Sequence, residues 1–258
     1  MNGYALITGA SKGIGKSIAL SLAHSGYHLL LVARSEDDLQ LLSQSIAEIH
    51  KVQVYYLAVD LSDHKAATQV TTWCTHITPN LSILINNAGY GLWGNFDELK
   101  IQEQMNMLKL NIDAVVELTH RLLPVLKQQK QAYILNVSST AAYQAVPTLA
   151  IYAASKSFIL SYSRALRHEL KDGPVSVSCL CPGPTATGFS SRAGMDALAE
   201  LAEKFNMTPE NVAETGLKAM FRKKAEIVPG FLNKLSVFTA GLLPKSLIES
   251  ITASLYKQ

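Results

Sequence analysis

Apolar residues fall into two alternating patterns along this chain. Short runs such as Tyr4-Ala5-Leu6-Ile7-Thr8 and His28-Leu29-Leu30-Leu31-Val32-Ala33 are bounded by glycine or charged residues and read as strands. Longer stretches with apolar positions at helical spacing lie between them. Seven strands are predicted, starting near Tyr4, His28, Val52, Leu81, Ala132, Val175 and Glu226. Their near-continuous apolar character suits strands covered on both faces, as in a parallel sheet built from βα units. The pattern therefore predicts an α/β fold: a single-domain, doubly wound, seven-stranded parallel sheet with helices on both faces. No repeat, low-complexity tract or linker interrupts it before about Pro229. Such sheets bind ligands at the carboxyl ends of their strands, so the loops to read are 8–15, 33–38, 60–63, 86–94, 138–152 and 182–195.

Composition narrows the options. With 258 residues, 48% hydrophobic and 17% charged, the chain has ample material for a core and too little charge for disorder. A net charge of +3 without any clustered run of Lys and Arg argues against nucleic acid as a partner. The three cysteines, Cys74, Cys179 and Cys181, have no framework spacing and suit free thiols in the cytoplasm. A core strand opening at Tyr4 leaves no room for a secretory signal before it. No apolar stretch reaches the roughly 18 residues of a membrane span, although peripheral association stays open.

Thr8-Gly9-Ala10-Ser11-Lys12-Gly13-Ile14-Gly15 follows the first strand directly and precedes a helix. Glycines there let the backbone turn tightly and approach a pyrophosphate, whose charge meets the free N–H groups of the helix start. An ordinary glycine-rich turn is the plainer reading, but the place after the first strand favours a dinucleotide. The second strand should end beside the adenine ribose, where an acid would bind the 2′-hydroxyl of NAD. Arg34 stands there instead, and a guanidinium matches the 2′-phosphate of NADP, with Lys12 as a second cation. Both are otherwise solvated surface charges. Glu36 and Asp37 suit the start of the next helix.

Tyr152 and Lys156, four apart in a helical stretch, share one face. Spacing alone proves little; the context does more, because Ser138 and Ser139 end the fifth strand at the ligand-binding edge. Here the sequence resembles the short-chain dehydrogenase/reductase family over residues 4–229, with its motifs in order. Thr8 to Gly15 look like its glycine loop, Asp60-Leu61 its adenine-side turn, Asn86-Asn87-Ala88-Gly89 its fourth-strand motif and Pro182-Gly183 its sixth-strand turn. The resemblance implies a Rossmann-type fold, an active site of Asn111, Ser139, Tyr152 and Lys156, and cofactor contacts from Gly9, Ser11, Lys12, Gly13, Ile14, Gly15, Arg34, Asp60, Leu61, Asn87, Ala88, Gly89, Tyr152, Lys156, Pro182, Gly183, Thr185 and Thr187. Ser139 is preferred to Ser138 because it lies 13 positions before Tyr152. Singly, these residues also read as structure: a strand-end cap, a buried polar residue, a turn that bonds its own backbone.

The reaction expected is hydride transfer between NADP(H) and a carbonyl or secondary alcohol, a small-molecule substrate that is apolar by resemblance to bacterial relatives of ketoacyl and steroid reductases. A phenol titrates near 10, so Tyr152 needs a cation to act near neutrality, and Lys156 supplies it. By resemblance, Lys156 also holds the nicotinamide ribose, Ser139 the substrate oxygen, and Asn111 a water leading from Lys156 to solvent. The rivals are an NAD-dependent alcohol dehydrogenase and a non-catalytic dinucleotide-binding protein acting through its C-terminal surface.

Residues 1–230 are thus expected to form the dinucleotide-binding and catalytic domain, with residues 188–208, where Phe189, Met195 and Leu198 offer apolar surface, as a lid or equally as a plain packing helix. Thr208-Pro209 should open a helix. Residues 231–258 depart from the family's usual ending and read as an apolar helical extension packed on the same domain. Its stripe of Leu235, Phe238, Leu242 and Leu243 suits core or subunit contact, with a substrate entrance or membrane-surface helix as alternatives. The family resemblance implies a homodimer or homotetramer. No metal is expected: Gly26 separates His24 from His28, and Cys179 and Cys181 alternate along a buried strand.

Overall fold

The computed structural model describes residues 3–189, 193–194 and 206–255. Its strands are β1 (Tyr4–Thr8), β2 (His28–Ala33), β3 (Val54–Ala58), β4 (Leu81–Asn86), β5 (Ala132–Val137), β6 (Val175–Leu180) and β7 (Glu226–Ile227). They form one seven-stranded sheet in the order β3-β2-β1-β4-β5-β6-β7, parallel throughout. The strand starts follow the apolar runs except at β3. There Lys51, in the left-handed conformation at φ 56°, closes the preceding helix, and the chain becomes extended only at Val54.

The helices among the described residues are α1 (Gly13–His24), α2 (Glu36–His50), α3 (Ala66–Ile77), α4 (Ile101–Leu108), α5 (Ala114–Lys127), α6 (Ala150–Glu169), α7 (Pro209–Phe221), α8 (Phe231–Leu242) and α9 (Lys245–Leu255). A π-helical turn, Lys109–Asp113, joins α4 to α5, and a 3-10 turn, Thr140–Tyr143, follows β5. Leu29 and Leu31 of β2 pack with Ile18 and Leu22 of α1, Leu39 and Ile46 of α2 and Met220 of α7. Leu30 and Val32 face the other way, into Val70 and Cys74 of α3 and Leu118 and Leu122 of α5. Successive strand residues thus enter opposite cores, and this is why the runs are continuously apolar. Each such leucine contributes about 1.5–3 kcal/mol by burial.

Local signals hold where side chains cap helix ends. Ser35 accepts from the Asp38 N–H at 3.4 Å with Glu36, Asp37 and Asp38 in the first turn of α2, where acids complement the helix dipole. Thr208 accepts from the Asn211 N–H at 3.2 Å, ahead of Pro209. His24 packs edge-on against His50, whereas His28 lies against Tyr4, so the two histidines share no face.

The C-terminal stripe departs from its reading as core. No residue of α8 is buried, and Leu235, Phe238 and Leu242 are 48%, 64% and 69% exposed. Anchorage instead comes from Ile248 and Thr252 of α9, which are buried, and from contact of α8 with the 3-10 turn. No helix among the described residues is long and apolar enough to cross a membrane. Met195 and Leu198 of the expected lid lie outside the described residues.

Candidate active site

Strand order reverses between β1 and β4, and a cleft of about 1270 Å³ opens over the carboxyl ends of the strands there. Gly9 and Gly13 lie on its floor with φ of 63° and 54°, a left-handed backbone that glycine adopts without strain. The Thr8 hydroxyl accepts from the N–H groups of Asn87 and Ala88 at 2.9 and 3.0 Å, while Asn87 Nδ2 donates to the carbonyls of Thr8 and Gly9 at 2.9 and 3.2 Å. Asn87 therefore pins the glycine loop. No side chain caps α1, so its first N–H groups are available to an anion. Gly15 does not border the cleft, and a Cβ there would run into the Gly9 carbonyl, so this glycine lets the turn pack against the start of α1.

Arg34, Asp60 and Leu61 border one end, together with Ser35 and Asp38. Arg34 Nη1 stands 3.8 Å from Asp60 Oδ2 and Lys12 Nζ 3.1 Å from Asp38 Oδ2. The Ser35 hydroxyl, then Lys12, holds the Asp38 carboxyl below its usual range. These cations are 57% and 74% exposed, and exposed pairs are worth only about 0–1 kcal/mol, so either can turn to a phosphate at little loss. Asp38 escaped the sequence reading, although its position three after the Ser35 cap marks it as a first-turn acid.

Ser139, Tyr152 and Lys156 border the other end. β5 delivers the two serines to different tasks. Ser138 is buried and donates to the Lys156 carbonyl at 2.7 Å, whereas Ser139 faces the cleft and caps the 3-10 turn through the Ala141 N–H at 3.1 Å. Lys156 is buried, its Nζ donating to Val137 O at 3.0 Å and lying 5.8 Å from the centroid of the Tyr152 ring. Loss of hydration pushes its pKa down to about 8, against a smaller upward influence from Cys179 and Cys181. A Cβ at Gly89 would sit 3.3 Å from that amine and 3.0 Å from Asn111 Oδ1, so a glycine keeps this corner open.

Asn111 sits deeper. It lies in the π-helical turn behind Gly89, 1% exposed and away from the cleft surface, with Oδ1 accepting from Tyr90 N and Nδ2 donating to Tyr90 O and Ser155 Oγ. After β6, Pro182, Gly183, Thr185 and Thr187 border the cleft, Thr187 packing where Gly13 lacks a Cβ. The Phe189 ring lies 5.4 Å from that of Tyr152. Cys179 and Cys181, with Sγ atoms 3.8 Å apart, are buried. α8 and α9 also border the cleft, through residues such as Val237, Ala240 and Thr252, which the sequence reading did not name although it held a substrate entrance open for this stretch.

A family profile described as short chain dehydrogenase matches residues 3–198. The chain belongs to the short-chain dehydrogenase family. These are nicotinamide-dependent oxidoreductases of carbonyl and alcohol groups. Hydroxysteroid dehydrogenase-like protein 1 of Gallus gallus is 33% identical over 73% of this chain and 57% of its own length. Very-long-chain 3-oxoacyl-CoA reductase of Pyrenophora tritici-repentis is 34% identical over 78% and 60%. The chain thus spans less than two thirds of either relative. A short-chain dehydrogenase from Sphingobium yanoikuyae in complex with NADPH superimposes with a TM-score of 0.82 at 27% identity, over 94% of both chains. A nicotinamide dinucleotide fits this chain's cleft: the backbone lacks Cβ atoms at Gly9, Gly13 and Gly89, and cations stand at one end and Tyr152 with Lys156 at the other.

Proposed function

We propose that this chain is an NADP(H)-dependent oxidoreductase interconverting a carbonyl compound, an apolar ketone, and its secondary alcohol. The observation that carries the reading is the convergence of Ser139, Tyr152 and buried Lys156 on one end of a cleft whose other end holds Arg34 and Lys12. Bound NADPH would supply the hydride, and its oxidised form would accept one.

In this reading Tyr152 gives its phenolic proton to the substrate oxygen, or takes it back in the reverse direction. Lys156 makes that exchange possible near neutrality, since an ammonium beside a phenol favours the phenolate. With a pKa near 8 it stays mostly charged at pH 7. Val137 O takes one of its three N–H donors, leaving two for the ribose and for proton relay. Ser139 stabilises the charge that grows on the substrate oxygen. Asn111 fixes the Tyr90 backbone behind Gly89, and in this reading it would also hold a water that serves Lys156. Three free thiols suit a cytoplasmic setting, and exposed Ile101, Met105 and Phe158 on α4 and α6 offer a contact for a homodimer or homotetramer.

Cofactor preference rests on Arg34, with Lys12 beside it. A carbonyl panel assayed with NADPH and with NADH tests the reading, consumption with NADPH being the expected result and none with either cofactor the defeating one. Arg34→Ala should weaken NADPH by about 10-fold or more, as loss of a hydrogen bond to a charged group does, and NADH much less. Equal losses would remove the phosphate pairing.

A further inference from the structure

We infer that the C-terminal helices α8 and α9 form the substrate wall of the cleft, and that this wall selects carbonyl compounds with an elongated apolar tail, Val237 and Ala240 setting the length accepted. The inference deepens the proposed function and rests on it.

Size is the first argument. The cleft's 1270 Å³ exceeds the roughly 300–1,000 Å³ of most small-molecule sites, so a second ligand can lie beside a dinucleotide. Charge is the second. The charged residues bordering the cleft, among those described, are Lys12, Arg34, Asp38, Asp60 and Lys156, all of which border the cofactor's path. Val146, Leu149, Phe189, Leu232, Val237 and Ala240 border the remaining space, together with the uncharged polar side chains of Gln144, Asn233, Ser236 and Thr252. Gln144 and Thr252 bond each other and Asn233 bonds Pro229 O, no charged side chain among the described residues there could pair with a phosphate or a carboxylate, and an apolar chain gains by leaving water.

The wall also has a fixed direction. Asn233 packs where Gly183 lacks a Cβ and donates to Pro229 O at 2.8 Å, which holds the first turn of α8 against the loop after β6. Residues 233, 237 and 240 follow at the i, i+4, i+7 spacing of one helix face. At about 1.5 Å per residue, that face runs roughly 10 Å along the cleft. Gln144 Nε2 donates to Thr252 Oγ1 at 3.3 Å, tying α9 to the segment just beyond the Ser139 turn. Small Ala240 at the far end leaves width for a tail, and a larger side chain there would stop it.

The test is a series of unbranched methyl ketones of increasing length, reduced with NADPH by the full chain and by Ala240→Trp. In the wild-type chain kcat/KM should rise with length, and in Ala240→Trp the long-to-short ratio should fall about 10-fold or more, the scale on which a pocket discriminates neighbouring chain lengths. Phe238→Ser, on the outer side of the same helix, should keep the wild-type ratio and shows that a folded change in α8 alone is not responsible. A ratio unmoved by Ala240→Trp overturns the wall. Should the wild-type chain reduce no ketone, the proposed function fails first, and calorimetric binding of a long methyl ketone decides the wall: binding weakened by Ala240→Trp upholds it, and its absence overturns it.

Discussion

Two helices border the same cleft and are built on opposite terms. α6 buries Tyr152, Ala153, Ser155, Lys156, Ile159 and Ser163, and is fastened to its surroundings by Ser138, by Ser157 donating to Ala142 O at 2.7 Å and by Arg164 against Glu226 at 2.7 Å. α8 buries nothing and carries apolar side chains on both its cleft side and its outer side. Proton transfer needs groups held to within a fraction of an ångström, and dense packing supplies that. A wall meeting tails of different shape needs less. Weak packing leaves it free to move at small energetic expense.

The contrast breaks most visibly at Tyr152. Tyr152→Phe keeps the ring packed on Phe189 and removes the proton, so kcat should fall about 10²–10⁴-fold while NADPH affinity, followed by fluorescence titration, barely changes. A variant near wild-type turnover would take Tyr152 out of its role. A smaller effect should come from Gly89→Ala. The added methyl would stand 3.0 Å from Asn111 Oδ1 and 3.3 Å from Lys156 Nζ, and displacing the amine by a few tenths of an ångström should lower kcat/KM by up to about 100-fold. Wild-type kinetics in Gly89→Ala would mean that this corner tolerates bulk and that the packing of α6 matters less than argued.

Much of the cofactor side was legible in the sequence because local rules govern it. A glycine trio after a strand, the acids Glu36 and Asp37 at a helix start and a Thr208-Pro209 start each state their geometry within a few residues. What stayed hidden depends on distant partners. Gly15 meets the Gly9 carbonyl and Asn111 meets Tyr90, contacts that no spacing along the chain announces. The stripe of Leu235, Phe238 and Leu242 was visible as a stripe, but periodicity gives the existence of an apolar face and not what covers it. The face that borders the cleft, through Val237 and Ala240, lies beside that stripe and has smaller residues, which is why it drew no notice.

Burial of Lys156 has a signature in stability as well as in catalysis. Its pKa is near 8 in the folded chain and 10.5 when unfolded, so below pH 8 both states hold the proton and the burial penalty is fully present. Between pH 8 and 10.5 the folded state has released a proton that the unfolded state keeps, and stability rises by up to about 1.4 kcal/mol per pH unit from this group. Buried acids act in the opposite sense, since Cys74 is pushed up to about 12 and keeps its proton in the folded chain alone. The clean measurement is the difference in urea stability between wild type and Lys156→Met across that range. Wild type should gain on the variant as pH climbs, and parallel curves would show that Lys156 is not desolvated.

The smallest effect expected is also the sharpest test of the contrast between the helices. Ile159 in α6 is 1% exposed and Phe238 in α8 is 64% exposed. Truncating the first to alanine leaves a cavity that neighbours fill only in part, at about 2–5 kcal/mol. Phe238→Ser removes a larger side chain, but one that is mostly exposed, and exposed changes of this kind stay within about 0.5 kcal/mol. Comparable losses in urea melts of the dilute chain would mean that the outer side of α8 is covered in solution, by a second copy or by the segment following it. The two helices would then differ in what covers them and not in how firmly they are held, and the adjustable wall would lose its physical basis.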